Sequence, residues 1–132
     1  MKVIVDTCIW SKALRRPVNQ HPEIISSLTD LIQESRVVVP GAIRQEVLSG
    51  VKHDAQFNKL KQALSPFPDL PLQSSDYELA AQFYNQLRAK GIQGSSTDFL
   101  ICAVAVNYEL AIFTDDKDFD HFGKHLPLQR YK

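Results

Sequence analysis

The segment Val3-Ile4-Val5-Asp6-Thr7, close to the start of the chain, is the strongest indication of the fold class. Three consecutive β-branched residues followed by polar ones predict a short strand that is buried on both faces. Strands of this kind belong to parallel sheets with helices packed against both sides. We therefore expect an α/β protein in which Asp6 stands at the carboxyl end of the first strand.

Outward from this strand, apolar runs alternate with apolar residues at helical spacing. This alternation predicts a mostly parallel central sheet between two helical layers, a three-layer α/β/α sandwich. The length of 132 residues suits one domain over 1–132. The predicted strands are 2–6, 36–39, 110–113 and 126–130, with 65–71 as an edge segment, and the predicted helices are 7–16, 23–35, 41–50, 54–64, 76–90 and 98–108.

Composition excludes several classes of protein. With 44% apolar and 23% charged residues the chain is globular in character, and its 15 basic and 15 acidic residues give no overall basic excess for nucleic acid. It has no apolar run long enough to cross a membrane and no secretory segment, so we expect a cytoplasmic protein without membrane contact. Cys8 and Cys102 match no zinc or redox spacing and are interpreted as small buried residues.

Acidic residues stand where predicted core elements end or begin: Asp6, Glu46, Asp98 and the group Asp115, Asp116 and Asp118. In a parallel sheet the strand ends converge on one crevice, where ligands bind. Carboxylates gathered there would raise one another's pKa, and a divalent cation would offset that repulsion. The pattern predicts a metal site.

Each acidic position also has an ordinary structural explanation. Asp6 and Asp98 are suited to helix N-termini, where carboxylates accept backbone hydrogen bonds. Glu46 is compatible with a solvated helix surface, and the acidic group after Phe113 is compatible with a polar turn. His121 and His125, four residues apart, are interpreted as surface residues.

The ordered set of motifs resembles a PIN-domain ribonuclease, and more narrowly a VapC-type toxin of a toxin–antitoxin pair. The likeness covers essentially the whole chain, although Cys8 stands where many relatives carry Asn or Ser. The matching segments are Val3-Ile4-Val5-Asp6-Thr7 with Trp10, Glu46-Val47-Leu48-Ser49-Gly50, Thr97-Asp98 with Leu100-Ile101-Cys102-Ala103-Val104-Ala105, and Phe113-Thr114-Asp115-Asp116-Lys117-Asp118-Phe119.

The resemblance implies roles for particular residues. Asp6, Glu46, Asp98 and Asp116 would form the catalytic, metal-binding quartet, and Asp118 would be a further ligand or a structural residue. The hydroxyl groups of Thr7 and Thr114 would orient the acids. An oxygen-only ligand set is typical of Mg²⁺ or Mn²⁺.

It also implies the activity and the partners. The expected function is metal-dependent hydrolysis of RNA phosphodiester bonds by a toxin that a cognate antitoxin inhibits, and the expected assembly is a homodimer. Apolar residues within 54–72 support a docking surface there, or equally cover the core of the same chain. Candidate RNA contacts are Arg15, Arg16 and Arg44.

Different functions are also compatible with these residues. A phosphatase or receiver domain also gathers aspartates at strand ends, but Cys8 occupies the place of the second acid in a phosphatase Asp-x-Asp unit. A catalytically inactive PIN fold would serve as a binding module, and an active PIN nuclease would also suit RNA processing without an antitoxin. Metal-dependent cleavage of RNA separates the nucleases from the phosphatase, the receiver and the binding module.

Overall fold

A computed structural model describes residues 1–15 and 20–131 and has the expected α/β architecture. Its sheet has four strands in the order β2-β1-β3-β4, and every neighbouring pair is parallel. The strands are β1 (Val3–Val5), β2 (Val37–Val38), β3 (Ala111–Phe113) and β4 (Gln129–Arg130). The helices of the described ranges are α1 (Thr7–Leu14), α2 (Pro22–Gln33), α3 (Gly41–Leu48), α4 (Asp54–Leu64), α5 (Ser74–Arg88), α6 (Ser96–Asn107) and α7 (Asp118–Gly123).

Strand β1 lies at the centre of the sheet and is fully buried. Val3, Ile4 and Val5 have no solvent-exposed surface, and successive side chains of a strand point to opposite faces. Both faces of the sheet are therefore covered, as the predicted sandwich requires. Around the sheet, α1 contacts α2 and α3, while α5 and α6 form an extensive helix pair and α6 contacts β3.

Helix α6 has no polar face. Phe99, Ile101 and the segment 102–105 are all buried, so the helix runs through the core as its sequence predicted. Cys102 is a small buried residue within it, which confirms that part of the cysteine interpretation. The segment 54–72 also packs apolar side chains against the core, since Leu60 and Leu64 are buried and the ring of Phe67 contacts Trp10.

Two local segments, the one after β3 and the Pro-rich segment 65–71, have a structure that the sequence did not predict in detail. The segment after β3 contains a short helix, α7, where only a loop was expected, because Phe119 and Phe122 are both fully buried and fix one helical turn against the core. The Pro-rich segment 65–71 makes only an isolated parallel bridge between Val39 and Asp69. Its prolines lack the N–H groups that a longer ladder needs.

One buried acid, Asp76, has a structural role at the start of α5. Its carboxylate accepts hydrogen bonds from the Gln73 N–H (2.8 Å), the Asn107 side-chain amide (2.8 Å) and the Tyr108 hydroxyl (2.9 Å). Burial opposes its ionisation, but these donors outweigh that effect and hold the pKa of Asp76 below its usual range. The contacts join the start of α5 to the end of α6.

None of the helices in the described ranges combines the length and apolar character that a bilayer crossing demands.

Candidate active site

The parallel pairing of β1 with β3 brings Asp6 beside Thr114. Val5 is paired with Phe113, so the residues that follow them, Asp6 and Thr114, lie side by side where the two strands end. The Asp6 N–H donates to the Phe113 carbonyl at 2.9 Å, which extends the pairing by one residue. The carboxyl ends of the two central strands therefore form the floor of the crevice that the sequence predicted.

Asp6 is buried and held by neutral donors. It is 5% exposed, and its Oδ1 accepts a hydrogen bond from the Thr7 N–H at 2.8 Å as the N-cap of α1. Its Oδ2 accepts from the Thr114 hydroxyl at 2.8 Å and from Cys8 Sγ at 3.5 Å. Within the described residues no lysine or arginine pairs with this carboxylate. The capping role and a role in a site are therefore compatible.

Glu46 lies near enough to act on Asp6 electrostatically. Burial is the main reason that the pKa of Asp6 is raised, three hydrogen bonds lower it, and the Glu46 carboxylate raises it again. Glu46 itself is exposed on α3. The structure therefore places a solvated carboxylate at the rim of the crevice and a buried one at its floor.

Asp98 enters the same crevice from the first turn of α6. The Ser95 N–H donates to Asp98 Oδ2 at 3.1 Å, and the Asp98 N–H donates to Ser95 Oγ at 3.0 Å, a reciprocal capping box. Burial raises the pKa of Asp98, and the nearby carboxylates of Asp6 and Asp116 raise it further. These electrostatic effects link Asp98 directly to two of the other three predicted acids, Asp6 and Asp116.

Asp116 and Asp118 complete an acidic cluster with Asp98. Each of the three offers a carboxylate oxygen, and these atoms all lie within 4.8 Å of one another. The loop is ordered by its own hydrogen bonds, since the Asp116 N–H donates to Thr114 Oγ1 (3.1 Å) and the Asp118 N–H donates to Asp116 Oδ1 (2.9 Å). Asp118 thus belongs to the cluster and also begins α7.

The donor set fits a hard divalent cation. All of the clustered atoms are carboxylate oxygens, which Mg²⁺ and Mn²⁺ prefer, and no imidazole or thiolate from the described part of the chain joins them. Carboxylates this close repel one another, and a cation between them would remove that repulsion.

Asp115, the third acid of the loop, points elsewhere. Its carboxylate forms an ion pair with Lys12 of α1. Burial opposes ionisation of Asp115, but the hydrogen bond and the charge of Lys12 prevail and hold its pKa below the usual range. The ion pair fixes the loop to α1 while its neighbour Asp116 faces Asp98.

Two residues, Thr7 and Cys8, follow Asp6 directly at the start of α1. The Thr7 hydroxyl is buried and has no hydrogen-bond partner among the described residues, so it contacts none of the acids here and its orienting role stays a prediction. The Thr7 N–H holds Asp6 instead. Cys8 is not a plain core residue, because its Sγ contacts Asp6 Oδ2 and lies 3.4 Å from Thr114 Oγ1. Its position two residues after Asp6, in the first turn of α1, is the signal that could have revealed it.

The three arginines proposed for RNA have different surroundings. Arg15 is exposed at the end of α1, and Arg16 lies outside the described residues. Arg44 donates to the carbonyls of Leu64 and Phe67 and pairs with Asp69 at 2.9 Å. These contacts give Arg44 a structural role in anchoring the chain after α4, which the sequence did not indicate.

Arg130 supports the site from the far edge strand and was missed by sequence reasoning. One guanidinium nitrogen donates to the Thr114 carbonyl at 3.2 Å, and another pairs with Asp120 at 3.0 Å. Arg130 is 16 residues from Thr114 in the chain, and β4 meets β3 only in the folded sheet. No local sequence pattern could have shown this contact.

Solved structures of toxin–antitoxin proteins share this fold. FitAcB from Neisseria gonorrhoeae is 21% identical, with a TM-score of 0.76 and coverage of 98% of this chain and 96% of that one. VapBC2 from Rickettsia felis, bound to a promoter DNA fragment, is 18% identical, with a TM-score of 0.75 and full coverage of both chains. A toxin–antitoxin complex from Klebsiella pneumoniae is 20% identical, with a TM-score of 0.69 and coverage of 89% and 90%.

Among curated proteins, none matches the chain. The sequence family described as PIN domain matches residues 3–125, which is nearly the whole length and includes all of the acids described above. The chain therefore belongs to the PIN-domain family, whose members are nucleases.

Proposed function

We propose that the chain is a metal-dependent endoribonuclease that hydrolyses RNA phosphodiester bonds and acts as the toxin of a toxin–antitoxin pair. The observation that carries the proposal is the cluster of Asp98, Asp116 and Asp118, whose oxygens lie within 4.8 Å of one another beside the buried Asp6. A catalytically inactive PIN fold would have no need to keep these carboxylates together, because their repulsion destabilises the fold.

Asp98, Asp116 and Asp118 would hold the cation, with Asp6 beside Asp98 and Glu46 near Asp6. A bound Mg²⁺ or Mn²⁺ would supply charge for the phosphate and a water of lowered pKa. Three hydrogen-bond donors hold the Asp6 carboxylate in one orientation, and the Thr114 hydroxyl binds its Oδ2 atom. Glu46, which is exposed and lies near Asp6, would accept a proton from incoming water.

The direct test is cleavage of single-stranded RNA by the purified chain. We expect cleavage with Mg²⁺ or Mn²⁺, none with EDTA, and a loss of at least about 100-fold for Asp98→Asn or Asp6→Asn. Asp30→Asn is the matched control, since Asp30 is an exposed acid on α2. Near-normal cleavage by the two site variants, with folding intact, would contradict the proposal.

The antitoxin and the homodimer are part of the same proposal. Structures with this fold come from toxin–antitoxin complexes, and this likeness supports a cognate protein that blocks the acidic crevice. A short neighbouring gene product with a DNA-binding segment is the candidate antitoxin. It should form a stable complex with the chain and abolish RNA cleavage, while light scattering on the isolated chain should give twice the monomer mass of 14.9 kDa.

A second candidate is a PIN nuclease of RNA processing that works without an antitoxin. Expression in a growing host separates the two: a toxin stops growth, Asp98→Asn abolishes that effect, and co-expression of the neighbouring gene restores growth. A wild-type chain that cleaves RNA in vitro but leaves growth unaffected favours the processing enzyme.

A further inference from the structure

A small cleft adjoins the acidic cluster and shares one of its residues. It has a volume of about 250 Å³ and is lined by Gly91, Ile92, Gln93, Asp118, His121 and Phe122. Asp118 therefore borders both the cluster of carboxylates and this cleft. A ligand in the cleft would lie directly beside whatever the cluster binds.

The walls of the cleft are set by close packing. Gly91 ends the turn after α5 with a positive φ of 77°. Gly94 lies so close to the ring of Phe122 that a methyl group on it would come within 2.6 Å of Cζ. Since Phe122 is fully buried, the segment 91–94 is seated tightly against α7. This packing holds the backbone of the segment 91–94 against α7, and exposed polar side chains complete the lining of the cleft.

We infer that this cleft binds one unpaired nucleobase of the RNA, next to the phosphodiester bond that the acidic cluster acts on. The inference rests on the proposed nuclease function and deepens it, because it assigns a base-recognition site. The cleft is somewhat smaller than the roughly 300–1,000 Å³ of sites for drug-sized ligands, which suits a single planar base.

The groups that line the cleft favour a base over a phosphate. The carboxylate of Asp118 can accept hydrogen bonds from the amino or imino groups of a base, whereas a phosphate offers it no donor. Gln93 and His121 are both exposed and offer further donors and acceptors for base edges. Sequence-specific RNA recognition commonly uses such contacts to unstacked bases of single strands.

Larger cavities of the described residues lack this connection to the chemistry. The groove between α5 and α6 has a volume of about 440 Å³ and is lined by Tyr77, Tyr84 and Leu100 among others. None of the clustered acids borders it. Its size alone therefore does not make it the substrate site.

The test is the base preference of cleavage. A randomised pool of single-stranded RNA is cleaved with Mn²⁺, and the fragment ends are sequenced for wild type, Gln93→Ala and His121→Ala. We expect wild type to enrich one base at one position flanking the cut, and each variant to reduce that enrichment about 3- to 10-fold, the loss of one hydrogen bond. His125→Ala is the matched control, because this exposed histidine lies outside the cleft, and it should retain the wild-type preference.

A binding measurement provides a readout that does not depend on catalysis. Asp98→Asn protein is titrated into a labelled oligonucleotide that carries either the preferred base or an abasic site at that position. Removal of the base should weaken binding about 3- to 10-fold. When His121→Ala is added to the Asp98→Asn protein, affinity for the abasic strand should fall no further.

The outcomes distinguish failure of the base-recognition site from failure of the proposed nuclease function. If wild type cleaves RNA without any base preference at the flanking positions, or if Gln93→Ala and His121→Ala keep the preference unchanged, the inference is overturned and the nuclease stands. If wild type does not cleave RNA at all, both are overturned. Truncation of these exposed side chains removes no core packing, so both variants should fold.

Discussion

The hydroxyl of Thr114 donates a 2.8 Å hydrogen bond to Asp6 Oδ2 and so joins two residues that are 108 positions apart in the chain. The hydroxyl oxygen of Thr114 also accepts a hydrogen bond from the Asp116 N–H at 3.1 Å. Thr114 therefore links the acid on the floor of the crevice to an acid of the cluster. Its carbonyl is held in turn by Arg130, which connects the site to the edge of the sheet.

Removing this hydroxyl should weaken the site more than the fold. We expect Thr114→Val to lower Mn²⁺ affinity about 10- to 100-fold, the usual effect of losing a partner behind a metal ligand. Thr114→Ser, which keeps the donor, should retain most of the affinity. Calorimetric titration with Mn²⁺ measures both, and Thr29→Val, at an exposed threonine whose hydroxyl donates to its own helix, is the control. Equal affinities for the valine and serine variants would contradict the role given to the hydroxyl.

The thiol of Cys8 should be unreactive in the folded protein. Burial, together with the charge of Asp6, raises its pKa to about 12, so that only roughly one thiol in ten thousand is ionised at pH 8. Iodoacetamide at pH 8 should leave both cysteines unmodified in the native protein and label both in urea, as mass spectrometry would detect. Rapid labelling of native Cys8 would show that the thiol does not remain hydrogen-bonded to Asp6.

The stability of the metal-free protein should increase toward mildly acidic pH. Burial and neighbouring carboxylates raise the pKa of both Asp6 and Asp98, so the folded state favours their protonated forms. Their contribution to stability is fully present below the unfolded value of about 3.8 and is lost as pH rises through the folded pKa. The lowered pKa of Asp76 acts in the opposite direction, but only as pH falls through its folded value, below 3.8.

Thermal unfolding in EDTA at pH 5.5 and pH 7.5 measures this effect. The unfolding temperature should be higher at pH 5.5, and Asp98→Asn should reduce the difference, whereas Asp30→Asn should not. Added Mn²⁺ should stabilise the protein more at pH 7.5, because a metal competes with protons for the carboxylates. A metal-free protein that is more stable at pH 7.5, with a Mn²⁺ effect independent of pH, would contradict this account.

Arg15 and Arg44 should respond differently to neutralisation. Arg15 is exposed at the end of α1, so Arg15→Ala should weaken RNA binding and reduce the slope of log affinity against log salt by about 0.7, one contact with single-stranded RNA. Arg44→Ala should leave that slope unchanged and lower the free energy of unfolding by about 1–3 kcal/mol, because two partly buried hydrogen bonds to carbonyl groups are lost. Anisotropy titrations over a salt series and urea unfolding measure the two effects.

Their controls come from within the chain. Lys90→Ala removes an exposed charge from the turn after α5 and calibrates the effect of net charge alone on the salt slope. A salt slope that changes for Arg44→Ala but not for Arg15→Ala would reverse the assignment of the two residues.

The amino-acid sequence was sufficient to predict the fold class and to select the candidate acids of the site. The run Val3-Ile4-Val5 predicted a buried strand because each residue must meet apolar packing on its own face of the sheet. The helix of Ser96–Asn107 was predicted to be buried because it has no polar face. Asp6, Asp98 and Asp116 could be selected because an acid next to the end of a predicted strand or helix is visible in the local sequence.

The contacts between these groups became visible only in the folded chain. Asp115 and Asp116 are adjacent and chemically identical, yet Lys12 holds one while the other faces Asp98. The thiol of Cys8, the anchoring of Arg44 and the support from Arg130 all depend on contacts between segments that are distant in the chain. A linear pattern records the chemistry of each side chain and the face of its own helix or strand. The direction in which that side chain points relative to a distant segment is set when the core packs.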